Sequence, residues 1–255
     1  MKNLLFFVLL TGAALLGGCK DKSGPEGPAS DVTVTFKALY DGQPLEKYKV
    51  YDYDTYRVQF TRFNTFLSNI TLIDGSTDVL LGDIEWVDFT PDTASGNLAV
   101  QVPVTFKSVP DGAYTGMRIG FGVPANLNAK QPKDFPTGHP LSRENEYWLG
   151  WKSYIFSKIE GQVDLDNNGV YDAGLVYHCG SDAVYRTYSF NVPLKVEPGA
   201  KATIEIDLKK IFNPAGTWFD LNLQANQQTS NDAGNVVIST VLVNNFGAAT
   251  TVRQE

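Results

Sequence analysis

The sequence predicts an all-β fold, an antiparallel β-sandwich carrying a long insertion of loop and short helix around residues 124–152. Three observations lead there. Fifteen Phe and twelve Tyr, with many Val and Thr, favour strand. Short stretches of alternating apolar and polar residues recur between turns rich in Gly, Pro, Asn and Asp. No long segment carries an apolar period of 3.6 residues, which sets aside layered α/β folds. With 43% hydrophobic and 19% charged residues, a chain of 255 can bury a sizeable core and is not disordered. No internal repeat or second boundary is visible, so one domain over residues 31–255 is the simplest reading.

Taken in order, residues 1–18 read as a signal peptide. Lys2 supplies the positive start and residues 4–16 an apolar run too short to span a bilayer with ease. Leu16-Gly17-Gly18-Cys19 then matches a bacterial lipobox, which predicts cleavage before Cys19 and acylation of its thiol. Residues 19–30 are the acylated cysteine and a Gly/Pro/Ser-rich tether. The expected product is a lipoprotein held to the membrane through Cys19, at the periplasmic or surface face of the outer membrane. Cys179 is the only other cysteine, so an acylated Cys19 leaves no internal disulfide.

Strands are predicted over residues 32–36, 56–72, 84–89, 98–106, 116–123, 154–163, 175–178, 185–194, 202–206 and 236–243, separated by turns such as Asp41-Gly42, Asp74-Gly75 and Pro198-Gly199. Residues 142–150 and 208–212 read as short helices. Ser142 would cap the first, with Asn145 and Glu146 in its first turn. On such a helix Trp148 and Trp151, three apart, would share one face.

Asp164-Leu165-Asp166-Asn167-Asn168-Gly169-Val170-Tyr171-Asp172 has the spacing of a calcium loop. Asp164, Asp166, Asn168 and Asp172 can offer side-chain oxygens and Val170 its carbonyl, while Gly169 allows the sharp turn. The twelfth position is Leu175, where an EF-hand places a bidentate Glu. The alternative is an Asn-Gly hairpin turn with solvated acids. His178 and Cys179 end a strand, and alternation sends them to opposite faces, so they do not chelate one ion together. His178 reads either as a transition-metal ligand or as a hydrogen-bonded structural residue, and Cys179 as a small buried apolar side chain. His139, in a Pro/Gly-rich loop, would join His178 only if the insertion folds across the sheet.

A formal charge of −7 without a basic run excludes nucleic acid as a partner. The chain carries no G-x-S-x-G, no H-E-x-x-H and no phosphate loop, which points away from enzymatic activity.

Phe66-Leu67-Ser68-Asn69-Ile70-Thr71-Leu72, His139-Pro140-Leu141, Tyr147-Trp148 with Trp151, Tyr154 and Phe156 leading to Glu160-Gly161, and Tyr177-His178 before Gly180 resemble, in order and spacing, the landmarks of MbnP-like proteins over residues 32–245. The resemblance implies a β-sandwich, copper-binding envelope protein, often a lipoprotein. In some members a partner di-haem peroxidase oxidises a tryptophan to kynurenine, which then helps to bind copper. Carried onto this chain, it makes His178 and His139 candidate copper ligands and Trp148 or Trp151 the candidate for oxidation. Two departures are visible. Leu149 and Gly150 both separate the tryptophans, where the family motif has one residue, and no histidine precedes His139. The calcium-like loop is an addition to that pattern. The competing expectation is a structural or partner-binding surface lipoprotein whose only metal is calcium.

Overall fold

Every second side chain of strand β1 (Ala29–Tyr40) is buried, so Val32, Val34, Phe36, Ala38 and Tyr40 form one apolar stripe. The computed structural model describes residues 27–75, 77–90, 100–230, 232 and 234–255. The signal peptide, Cys19, the tether up to residue 26 and the first two residues of the strand expected at 98–106 lie outside the described residues.

The first sheet runs β15 (Thr250–Gln254), β14 (Lys201–Asp207), β1, with β2 (Gln43–Pro44) and β6 (Gln101–Pro110) both pairing with the remaining side of β1. The β1–β2 hairpin turns at Asp41 and Gly42, whose φ values of 53° and 73° are those of a primed turn. The larger sheet has eight strands built on β4 (Tyr56–Ile73), 18 residues long. One side of β4 pairs with β10 (Ser153–Asp164) and then β8 (Gly116–Phe121), the other with β3 (Val50–Tyr53) and β5 (Val79–Asp88). Beyond β10 lie β11 (Ala173–Gly180) and the two-residue β9 (Tyr147–Trp148), and beyond β8 lies β12 (Arg186–Phe190). A two-stranded ribbon of β7 (Gly112–Tyr114) and β13 (Leu194–Val196) completes the strands. This is the predicted all-β sandwich, and its strand pairing departs from the expected antiparallel pattern where β1 and β14 pair in parallel.

Helices are few. Residues 208–212 are helical as expected, forming α2 (Leu208–Phe212), and Asp207 caps it by accepting Lys209 N at 3.0 Å. Of residues 236–243, expected as strand, Val236 precedes and residues 237–243 instead belong to α3 (Val237–Ala249). Its Val, Ile and Thr content favours strand locally, but Ser239, Leu242, Val243, Phe246 and Ala249 form a buried helical stripe. Phe246 packs 5.2 Å from Phe121 and 6.5 Å from Phe63, which roofs the core face of the large sheet. Packing of that stripe outweighs propensities worth a few tenths of a kcal/mol per residue. Among the described residues no helix is long and apolar enough to cross a membrane.

Residues 124–152 form the expected insertion, which contains α1 (Ala125–Asn128) and 3₁₀ turns at Pro132–Asp134, Pro140–Ser142 and Glu144–Glu146. The helix expected at 142–150 does not form. The Ser142 hydroxyl donates to His139 O at 2.8 Å rather than capping a helix, and Tyr147 and Trp148 pair with Tyr154 and Ser153 as a hairpin. The Leu149-Gly150-Trp151-Lys152 stretch makes the turn, with Trp151 N donating to Trp148 O at 3.1 Å.

Candidate functional site

The insertion crosses the face of the large sheet opposite α3 as a strap, and successive residues meet successive strands. Arg143 lays its guanidinium 3.9 Å from the centre of the Trp86 ring on β5. Glu146 pairs with Lys158 of β10 at 2.9 Å, and Lys158 also donates to Asn145 O at 2.6 Å. Trp148 reaches the edge of His178 on β11, with ring centres 6.5 Å apart. Between strap and sheet lies an open polar cleft of about 350 Å³ bordered by Arg62, Asn64, Trp86, Asp88 and residues 143–146.

Trp148 and Trp151 stack with centroids 5.1 Å apart and planes 14° from parallel. A hairpin rather than a helix brings them together. Two glycines make room for the pair. A Cβ on Gly150 would stand 2.8 Å from Trp148 Nε1, and one on Gly180 would stand 3.0 Å from Trp151 Cζ3 and 2.7 Å from Tyr154 O. Both indoles are half-buried.

His178 projects to the strap face and Cys179 to the core, as strand alternation requires. Burial pushes the Cys179 thiol up to about 12, so it remains a protonated core residue. His178 Nε2 lies 2.8 Å from Glu160 Oε1, and Arg62 Nη1 approaches the same oxygen at 3.2 Å. The hydrogen bond to His178, helped by Arg62, holds the Glu160 carboxyl below the usual carboxylate range. The backbone of His178 is held too, since its N donates to Thr229 Oγ1 at 2.9 Å.

His139 lies elsewhere. Its ring stacks on Phe135 at 4.5 Å, and its Nδ1 accepts Leu141 N at 3.1 Å. Its charged neighbours are Asp83 of β5 and Lys130, and burial lowers its pKa. The insertion therefore does fold across the sheet, yet it leaves His139 near β5 while β4 and β10 separate β5 from His178. With Nδ1 accepting a backbone N–H, the neutral ring carries its proton on Nε2.

At the far end of β10, side-chain oxygens of Asp164, Asp166 and Asp172 lie within 4.8 Å of one another. Asp164 is buried, and its two oxygens accept Asn168 N at 3.1 Å and Gly169 N at 2.9 Å. Asp172 Oδ2 accepts Leu165 N at 2.8 Å, and Asn168 Oδ1 accepts Val170 N at 2.7 Å. Gly169 has φ +87°, the turn its position in the motif requires. The three aspartates converge, whereas Asn168 turns its oxygen to the loop backbone and Val170 is exposed.

Sequence reading did not single out Arg62, Thr229 or the functional use of Glu160, Lys158 and Glu146. Strand alternation on β10 puts Lys158 and Glu160 on one face, a signal available in the sequence. Their partners depend on register between strands far apart in the chain.

The sequence model of the family described as MbnP matches residues 29–235 of this chain. Among curated proteins no sequence matches it. The solved structure of MbnP from Methylosinus trichosporium resembles it with a TM-score of 0.58 at 13% identity, over 89% of this chain and 99% of that one. At that identity the likeness is one of fold.

Proposed function

This chain belongs to the MbnP family, and on that premise we propose that it is a lipid-anchored, copper-binding protein of the bacterial envelope with no enzymatic activity of its own. The observation that carries the reading is the convergence of His178, Glu160 and the stacked Trp148–Trp151 pair under the strap. Imidazole suits copper, and the neighbouring carboxylate favours a cation. Among the described residues no soft sulfur ligand accompanies it, because Cys179 is turned into the core. The donor set therefore fits the cupric ion, with His178 as the protein ligand and coordination to spare for water. His139 contributes support from the strap in this reading, since it lies near β5 with β4 and β10 between it and His178, and its Nδ1 is taken up by the Leu141 N–H. Copper would supply a Lewis-acidic, redox-active centre beside two indoles. Oxidation of Trp148 or Trp151 by a di-haem peroxidase partner belongs to the same proposal. The lipobox at Leu16-Gly17-Gly18-Cys19 supports anchoring in the outer membrane through Cys19.

Native mass spectrometry of the protein titrated with Cu(II) tests the reading. One copper is expected per chain, lost in His178→Ala and retained in His139→Asn. Equal copper loading of wild type and His178→Ala would sink it.

A second reading rests on the three converging aspartates: a structural or partner-binding lipoprotein braced by calcium in the loop of Asp164, Asp166, Asn168, Val170 and Asp172. Calcium without copper, abolished by Asp166→Asn, would favour this reading. The two sites occupy different strand ends, so each responds to its own substitution.

A further inference from the structure

The hydrogen bond between His178 and Glu160 determines which nitrogen of the imidazole is free. Glu160 Oε1 receives His178 Nε2 at 2.8 Å and Arg62 Nη1 at 3.2 Å. The guanidinium on that oxygen favours the ionised carboxylate, which accepts hydrogen bonds and cannot donate them. The proton between Oε1 and Nε2 therefore resides on the ring, and in neutral His178 the lone pair lies on Nδ1. Among the described residues nothing donates a hydrogen bond to Nδ1. The rest of the ring's surroundings also restrain it. Thr229 Oγ1 holds the strand at His178 N, and Trp148 stands edge-to-face with the imidazole. With a side-chain exposure of 20%, the imidazole is neither sealed in the core nor freely rotating in water.

We propose that Glu160, itself anchored by Arg62, is the positioning residue of the His178 site, fixing the tautomer that presents Nδ1 to a divalent transition metal. The inference rests on His178 being the ligand, as proposed above, and specifies how it is presented. A carboxylate behind a ligating imidazole orients the ring and makes its free nitrogen more basic, and removing such a partner typically costs about 10–100-fold in metal affinity. Glu160 does not bind the metal in this arrangement. It stays on the opposite nitrogen, where Arg62 keeps it from swinging toward the ion.

The test is long-range ¹H–¹⁵N correlation spectroscopy of the imidazoles in the ¹⁵N-labelled protein, first without metal and then titrated with Zn(II), a diamagnetic probe. Cu(II) affinities of the variants are measured in parallel. The metal-free protein is expected to show His178 protonated at Nε2, with Zn(II) moving the Nδ1 resonance. Glu160→Ala should mix the two tautomers and weaken Zn(II) and Cu(II) binding about 10–100-fold, and Glu160→Asp should recover part of both. A merely structural role for Glu160 would change stability but leave the tautomer alone. Zn(II) moving Nε2 instead, or an unchanged tautomer in Glu160→Ala, overturns the positioning role while leaving His178 as a ligand. If neither ring nitrogen responds to Zn(II) or Cu(II), the ligand assignment of His178 falls and the positioning role falls with it.

Discussion

Replacing Lys158 with Met tests whether the strap is held by the ion pair beneath it. The Lys158 and Glu146 side chains are 6% and 8% exposed, and their charged atoms are 2.9 Å apart. Lys158 also saturates Asn145 O at 2.6 Å, so removing the ammonium leaves a buried carboxylate without its counter-charge and a carbonyl without its donor. Breaking one side of a buried pair costs about 3–5 kcal/mol, whereas an exposed pair is worth at most about 1 kcal/mol. For a folded unit of this size the loss corresponds to a fall in Tm of roughly 6–20 °C, at about 2–4 °C per kcal/mol. Urea is the suitable denaturant, because guanidinium would screen the pair. The double variant Lys158→Met with Glu146→Leu, which removes both charges, should be more stable than Lys158→Met alone. Near-ultraviolet circular dichroism of the tryptophans should report displacement of the strap in the single variant. A single variant that loses less than about 1 kcal/mol, with the double variant simply additive, would refute the idea that this pair fastens the strap.

Gly180→Ala is expected to destabilise by about 1–3 kcal/mol and to change tryptophan fluorescence, because its Cβ meets Tyr154 O at 2.7 Å and the Trp151 ring at 3.0 Å; unaltered fluorescence would count against the packing of Trp151 on β11. Burial lowers the pKa of His139 from its ordinary 6.5, so the folded state binds fewer protons than the unfolded one just below that value. Its contribution to stability is present above pH 6.5 and is lost as pH falls through the window beneath it. His139→Asn, which keeps an acceptor for Leu141 N, should remove that slope from urea unfolding measured between pH 7 and 5. An identical slope in the variant would place its source in another group.

Much of this molecule is encoded over short distances in the chain. The alternation of residues 29–40 and 153–164, the Asp41-Gly42 turn, the insertion at 124–152 and the opposite faces of His178 and Cys179 follow from the period of two along a strand and from turn chemistry. The spacing of Asp164, Asp166 and Asp172 also survives into the structure as three converging carboxylates. Where local propensity and packing compete, the sequence misleads. The Val/Ile/Thr-rich segment of α3 reads as strand until Phe121 and Phe63 are seen to receive Phe246. The region from 142 to 150 reads as helix until Ser153 and Tyr154 are seen to pair with Trp148 and Tyr147.

By itself the sequence determined the all-β class, the strand faces, the acidic loop and the residue types available for metal. Only the tertiary structure decided which of them meet. Register places Lys158 opposite His178, while Glu160 and Arg62 come together across β10 and β4 and the strap sets Trp148 over β11 and His139 near β5. The physical reason is the range of the forces involved. Side-chain period and turn preference act over a few residues, whereas register follows from the packing of the whole core, which joins segments about a hundred residues apart such as Arg62 and Glu160.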